Sequence, residues 1–409
     1  MKRFTKFYFF ILIYLLYFPL FADLTFFPEN PAIFSERSYT NFEFPIVDFN
    51  LMATNDVFTI SNIEQINKML KDDYTLSQED KDLITKGDFN IESYNRVSLI
   101  EFGKRNWNFS SELFAVGSLN NMDKEFLELI FEGAGVGGTN ANDMNKIVSN
   151  IGDGSEGKIF IKTKLTYSKL NPVYLYDIFD FTDIDATFYP GFNVNIYSPA
   201  TIANIKGSSQ IISFGDTAIS KTKHEIVYAK SASKKTSFGS GFGFGIGFKM
   251  LIEKGWIYFS VDDLMNTMSF KDVEQIKLIK TIEPNNTQNI IENSSDTTNI
   301  AGFSVELKPT IVAGIEYYFT KDFSLMLRFK DSEYQLDNGL STGINYTIAK
   351  KYPFQLFGGQ ANEKMYYTVK TGYLGTKYES TFSFTFYDGF FSQAKGIGLG
   401  IDIFNIKFY

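Results

Sequence analysis

The sequence predicts an all-β fold, a transmembrane antiparallel β-barrel of about 14 strands, within a range of roughly 12 to 16. Three observations predict it. The chain opens with a basic and then apolar leader, many later segments alternate apolar and polar residues, and 44 Phe and 24 Tyr occur among 409 residues. After the leader no apolar run is long enough for a spanning helix. A backbone in lipid that is not helical is satisfied only in a closed sheet, so a barrel follows.

Residues 1–22 have the layout of a secretory signal peptide. Lys2, Arg3 and Lys6 form a basic start, residues 7–20 are apolar, and cleavage is expected near Ala22. An uncleaved anchor is the alternative. We expect an exported protein of the cell outer membrane, with outer-membrane lipid as its surroundings.

Charge and cysteine content exclude several classes of protein. The net charge is −8, and it becomes more negative when the basic leader is removed, which argues against nucleic acid as a partner. The absence of Cys excludes disulfides, thiolate metal sites and a lipidated N-terminal Cys. We expect no cofactor and no metal.

Residues 238–248 read F-G-S-G-F-G-F-G-I-G-F and carry the clearest strand signal. In a strand one face would be bulky and the other nearly bare backbone. We expect the aromatic face to meet lipid. Gly241, Gly243 and Gly245 would then line the lumen and leave room for a ligand or a side opening. The alternative is a glycine-rich strand of a soluble barrel.

Five charged residues share the face opposite the apolar rows of their strands, namely Lys162, Lys164, Glu316, Arg328 and Lys330. Lys or Arg on the lipid face costs about 2–4 kcal/mol at the midplane, so these side chains are predicted to line the lumen. They would form a polar pathway or pair with one another to hold a plug. Plain solvation of the lumen is the alternative.

Catalytic and metal sites find little support. His224 is the only histidine and has no nucleophile motif nearby, so we expect no enzyme and no catalytic residue. Asp262 and Asp263 form an acidic pair without a loop of spaced oxygen ligands. We interpret this pair as exposed charge.

The chain divides into the signal peptide (1–22), an extended N-terminal segment (23–38) and the barrel (39–409). Helical inserts are expected at about 61–86 and 121–150, where apolar residues recur at helical spacing. Tight turns should lie at one end of the barrel and long inserts at the other. The chain ends in a strand rich in aromatic residues, which resembles the signal that barrel assembly machinery reads.

A family resemblance rests on the N-terminal third. Asn30, Pro31 and Ala32 precede the first strand, and two short helices and a tight hairpin at 103–110 follow. This order resembles the FadL-like superfamily of outer-membrane barrels, which are long-chain fatty-acid transporters and their relatives. It is most similar to an uncharacterised family of exported bacterial barrels. The resemblance implies 14 strands with N-terminal residues near the lumen, and no established function. Residues 23–38 are too short for a long N-terminal plug.

Two functions from different classes are predicted. The first is a passive channel or transporter for hydrophobic or amphipathic small molecules. The second is a non-transporting barrel that anchors or shuttles partner proteins at the cell surface.

Overall fold

A computed structural model describes most of the barrel. The described residues are 45–69, 77–84, 89–104, 106–122, 147–169, 173–174, 186–214, 217–229, 239–252, 254–270, 273–285, 288–300, 303–333, 336–349, 351–361, 363–374 and 379–404. The predicted signal peptide, the 23–38 segment and the Asn30-Pro31-Ala32 motif lie outside them.

The described residues form 19 strands and two short α-helices. The strands are β1 (Pro45–Asn55), β2 (Phe89–Lys104), β3 (Trp107–Met122), β4 (Ile147–Ser168), β5 (Val173–Tyr174), β6 (Ala186–Phe214), β7 (Thr217–Ala229), β8 (Ser240–Ile252), β9 (Gly255–Phe270), β10 (Val273–Asn285), β11 (Gln288–Ile300), β12 (Phe303–Val305), β13 (Thr310–Thr320), β14 (Phe323–Asp331), β15 (Gly339–Ile348), β16 (Tyr352–Ala361), β17 (Lys364–Leu374), β18 (Glu379–Tyr387) and β19 (Gly396–Phe404). The helices are α1 (Ile63–Met69) and α2 (Gln78–Ile84).

Fourteen of these strands close into a ring, which confirms the predicted fold. The ring order is β1, β2, β3, β4, β6, β8, β9 and then β13 to β19, and β19 pairs with β1 to close it. Every pairing in the ring is antiparallel. A closed ring leaves no free edge within the wall.

The wall separates an apolar outside from a mixed inside. In β14, Leu325, Leu327 and Phe329 are 40–47% exposed, whereas Met326 and Arg328 between them are 1–4% exposed. Other exposed apolar residues continue this belt around the ring, among them Val97, Leu165, Phe192, Ile196, Ile246, Ile315, Phe319, Leu356, Phe384 and Ile397. So large an exposed apolar surface is stable only against lipid, and the barrel is therefore transmembrane.

The connections divide the barrel into two ends. We call the end with the short connections β2–β3, β8–β9, β13–β14 and β15–β16 the turn end, and the opposite end the loop end. At the loop end β6, which has 29 residues, extends beyond the wall and pairs with β7. Strands β7, β10 and β11 continue from it as a projecting sheet. The polar segment 273–300 forms the β10–β11 hairpin of this sheet.

The first predicted helical insert contains both helices. Ser77 and Asp80 form a capping box at the start of α2, with Asp80 N donating to Ser77 Oγ at 3.2 Å and Ser77 N donating to Asp80 Oδ2 at 2.8 Å. Met69 and Ile84 pack in a small apolar cluster against Phe89 at the loop end. No helix among the described residues has the length and apolar character to span a membrane.

The second predicted insert, 121–150, differs from the structure at both edges. Strand β3 runs to Met122 and β4 begins at Ile147, so these edges are strand rather than helix. The reason is that the β4–β6 ladder continues upward, where Ile147 pairs with Ile211. The middle of the insert lies outside the described residues.

Candidate functional site

The glycine face of β8 lies toward the lumen, because Phe242 and Ile246 on the other face are 55% and 50% exposed. The space over the glycines is filled by the neighbouring strands. A Cβ on Gly241 would stand 2.9 Å from Tyr197 Cβ, and one on Gly245 would stand 2.8 Å from Asn193 Oδ1. The expectation of free room over this face is therefore wrong for the described structure. The glycines make room for side chains of β6 and β9.

Strand β9 is irregular where it passes these glycines. Its ladder to β8 shifts register twice and skips Gly243 and Gly245. Two β9 residues have left-handed backbone, Asp263 with φ 60° and Met265 with φ 48°. Such bulges re-aim side chains. As a result the adjacent residues Asp262 and Asp263 are both buried, at 4% and 7% exposure. We call this interrupted β8–β9 contact the seam.

A buried ion cluster lies on the lumen side of the seam, and we call Lys162, Lys164, Asn195, Tyr197, Asp262 and Asp263 the seam cluster. Lys162 Nζ lies 2.9 Å from Asp262 Oδ2 and 2.8 Å from Asp263 Oδ1, and Lys164 Nζ lies 2.9 Å from Asp262 Oδ2. Asn195 Nδ2 donates to both aspartates at 2.8 and 2.7 Å, and the Tyr197 hydroxyl donates to Asp263. Two cations and two anions balance. The interpretation of the aspartates as exposed charge was wrong.

The remaining predicted lumen residues fall in two other places. Arg328 Nη2 and Lys330 Nζ both lie 2.9 Å from the carboxylate of Asp337 in the β14–β15 loop. Burial opposes ionisation of Asp337, but the charges of Lys330 and then Arg328 outweigh it and lower the pKa of this carboxyl below its usual range. Glu316 lies apart and accepts a hydrogen bond from Ser324 Oγ at 2.5 Å.

Sequence reasoning missed a third charged group, centred on Arg96. Its Nη2 lies 2.6 Å from Asp48 Oδ1 and its Nη1 lies 2.8 Å from Glu112 Oε1. The sequence does contain a signal for this group. Val97 beside Arg96 is apolar, so in an alternating strand Arg96 belongs to the opposite, lumen face, and the structure has Val97 exposed on the outside. Three separate strands supply this group, a pairing that no single segment reveals.

An apolar layer lies on the loop-end side of the seam cluster. We call it the aromatic layer, and its buried members include Tyr94, Phe114, Val116, Phe160, Tyr197, Ile202, Met268, Phe270, Tyr366 and Tyr387. Phe114 and Phe160 stack with ring centroids 5.2 Å apart. The order along β4 shows the layering, since Phe160 lies farther from the turn end than Lys162, Lys164 and Thr166. Many buried lumen residues nearer the turn end are polar, among them Thr166, Asn193, Ser260, Ser324, Gln355 and Thr381. Tyr258 and Met326 belong to a smaller apolar cluster there.

Metal ligation has no support within the part of the chain that the structure describes. No group of three or more His, Cys, Asp or Glu side chains there could hold a metal ion. The carboxylates of the seam cluster are already bonded to lysines.

Fold and lumen together define a class, a 14-stranded transmembrane barrel with buried ion pairs and an aromatic layer in its lumen. No family model and no curated protein matches the chain.

Solved barrels resemble it over nearly its whole length. The Pseudomonas putida toluene transporter TodX is 10% identical with a TM-score of 0.48, and 93% of each chain is covered. The Ralstonia pickettii toluene transporter TbuX is 10% identical at 0.47, covering 93% of this chain and 92% of its own. A Pseudomonas aeruginosa FadL homologue is 10% identical at 0.44, covering 96% and 95%. Likenesses this remote carry no argument about cargo.

Proposed function

We propose that this chain is a passive outer-membrane transporter for hydrophobic or amphipathic small molecules. One observation carries the proposal, the aromatic layer on the lumen side of a closed barrel. A barrel that conducts water and ions has a polar interior. Aromatic side chains inside the lumen instead offer apolar contact to a molecule that leaves water.

The succession of aromatic and polar side chains along β4 favours amphipathic cargo over purely apolar cargo. Phe160 belongs to the aromatic layer, and Thr166 on the same strand belongs to the polar region nearer the turn end. A molecule with an apolar tail and a polar head matches both regions at once. The seam supplies a place where the wall has fewer ladder hydrogen bonds and where a cargo molecule could pass sideways.

The test begins with gentle extraction from the native outer membrane and mass spectrometry of bound molecules. A stoichiometric apolar or amphipathic molecule is the expected result. Phe114→Ala should reduce uptake of that molecule, whereas Leu113→Ala, which removes the neighbouring outward side chain, should not. An empty barrel with equal uptake by both variants would contradict the proposal.

A second candidate, a barrel that anchors or shuttles partner proteins, is favoured by the projecting sheet. Strands β7, β10 and β11 continue from β6 beyond the wall as a paired sheet. Replacing residues 273–300 by a short flexible linker separates the candidates. Under this candidate a co-purifying polypeptide is lost, and under the first candidate uptake continues unchanged.

The location is part of the proposal. Export by the leader, cleavage near Ala22 and recognition of the C-terminal strand by barrel assembly machinery follow from the sequence patterns described above. N-terminal sequencing of the chain from purified outer membrane should begin at Asp23. A start at Met1 would contradict cleavage.

A further inference from the structure

Three strands place a polar row directly below the seam cluster. Thr166 of β4 pairs with Asn193 of β6, and Asn193 pairs with Gly245 of β8. Thr166 and Asn193 are each only 1% exposed. Asn195 lies on the same face one row higher, opposite Lys164.

Several polar atoms of this row lack a partner. Thr166 Oγ1, Asn193 Oδ1, Asn193 Nδ2 and Asn195 Oδ1 are buried and form no hydrogen bond with the described part of the chain. Buried polar atoms are normally hydrogen-bonded, and an unsatisfied group in a folded protein indicates a missing water, ion or ligand. Four such atoms from three adjacent residues indicate one shared site.

Gly245 fixes the place of the Asn193 carboxamide. A Cβ on Gly245 would stand 2.8 Å from Asn193 Oδ1, 2.9 Å from Asn193 Nδ2 and 2.5 Å from Asp262 Oδ1. The carboxamide therefore rests over bare backbone beside the seam cluster. Because Asp262 is held by two lysines and Asn195, it leaves the Asn193 amide atoms for another partner.

The charge balance selects the kind of partner. Lys162 and Lys164 are matched by Asp262 and Asp263. The groups left over are a hydroxyl, one whole carboxamide and one carboxamide oxygen, all uncharged. A carboxylate head would add an unmatched buried charge, which is unfavourable. A hydroxyl head both donates and accepts, and so it suits a carboxamide that offers a donor and an acceptor.

We propose that Thr166, Asn193 and Asn195 bind the hydroxyl head of an uncharged amphipathic molecule whose tail reaches the aromatic layer. The inference rests on the proposed transport function and narrows its substrate class to long-chain alcohols rather than acids. Phe160 lies six residues farther along β4, a span of about 20 Å at strand rise, so a long chain is needed.

The test uses the full chain in lipid nanodiscs, equilibrated separately with 1-hexadecanol, hexadecanoate and hexadecane, with bound molecules counted by mass spectrometry. The wild type should retain the alcohol about tenfold better than the ionised acid or the alkane, which corresponds to one or two net hydrogen bonds. Thr166→Val should lower alcohol retention to the level of the alkane.

Two further variants make the test specific. Thr368→Val removes another buried lumen hydroxyl, one that is paired with Thr385 at 2.8 Å, and should leave alcohol retention unchanged. Asn193→Asp keeps the shape of the side chain, adds charge and should lose the alcohol. This variant decides the matter if Thr166→Val does not fold.

The outcomes separate this inference from the proposed function. Acid bound as tightly as alcohol, or alcohol no better than alkane because ordered water alone fills the site, overturns the inference and leaves transport standing. Failure to bind any of the three probes, hexadecane included, overturns both.

Discussion

The run from β13 to β19 and the sector of β4, β6, β8 and β9 both form part of the barrel wall, but their strand pairing differs in regularity. From β13 to β19 the ladders keep one register apart from a shift between Tyr318 and Thr320. In the other sector the β4–β6 and β8–β9 ladders each shift twice. We call β13 to β19 the regular half, because its residues alternate strictly between outside and lumen. We call the sector of β4, β6, β8 and β9 the irregular half, because its strand register is interrupted at the seam.

The comparison shows what an irregular wall can achieve. In a regular strand adjacent residues face opposite sides. Only a bulge allows Asp262 and Asp263 to point into the lumen together, where they meet Lys162 and Lys164. The unsatisfied polar row lies beside the same irregularity, so the distinctive chemistry of the lumen lies where the ladder is broken.

We expect the largest loss of stability in the irregular half when one charge of the seam cluster is removed. Asp262→Ala leaves two lysines with one buried partner fewer and should lower the free energy of unfolding by about 3–5 kcal/mol. The control is Asp331→Ala in the regular half, whose partner Lys308 is 56% exposed, with an expected loss of about 0–1 kcal/mol. Urea titration of barrels folded in vesicles measures both. Equal losses would mean that the seam cluster is not a buried unit.

In the regular half, we expect the largest loss of stability from a charge placed on the lipid-facing side of a strand. Leu327→Arg places a charge in the middle of β14 and should cost about 2–4 kcal/mol. The same change at Tyr352, the first residue of β16 at the turn end, should cost about 0–1 kcal/mol, because the side chain reaches the membrane interface. The same titration applies. A cost without depth dependence would contradict burial of this belt in lipid.

A smaller effect tests the packing over the glycine face. Gly245→Ala forces a methyl group against Asn193 and Asp262 and should lower the free energy of unfolding by about 1–3 kcal/mol. Gly157→Ala is the matched change, since its nearest neighbour would lie 3.9 Å away, and should be nearly neutral. Thermal unfolding monitored by circular dichroism compares them. A neutral Gly245→Ala would show that the space is free after all.

The smallest expected effect concerns acid stability in the regular half. Because the folded-state pKa of Asp337 is lowered, its carboxylate contributes stability above the ordinary carboxyl pKa of about 4, and this contribution is lost as the pH falls below that value. Asp337→Asn should therefore be less stable than the wild type at neutral pH and approach it in acid. Unfolding midpoints across a pH series measure the difference. A constant difference would contradict the ion pairing with Lys330 and Arg328.

Most of the wall could be predicted from the sequence, because the alternation that marks a strand lies within one short segment. Alternation in segments such as β14 is enough to separate Leu327 from Arg328, and the even strand number follows from closure. The sequence could not predict which strand pairs with the upper part of β6. That choice depends on contacts between residues far apart in the chain, such as Ala203 with Tyr228.

Prediction of the site failed where parity fails. Asp262 and Asp263 were interpreted as exposed charge because they lack a loop of spaced oxygen ligands. The sequence around them does not mark the bulge that buries both. The glycines of β8 indicated an unusual strand, but they did not indicate which side chains pack over them. Tyr197 and Asn193 come from β6, more than 40 residues earlier, and only the register of β6 with β8 brings them there.

The length of β6 has a mechanical consequence. One continuous backbone runs from the turn end, past Asn193, Asn195 and Tyr197, into the projecting sheet. A pull on that sheet at the loop end would load this strand directly, in line with the residues that hold the seam cluster. The strand thus connects the projecting sheet mechanically to the middle of the wall.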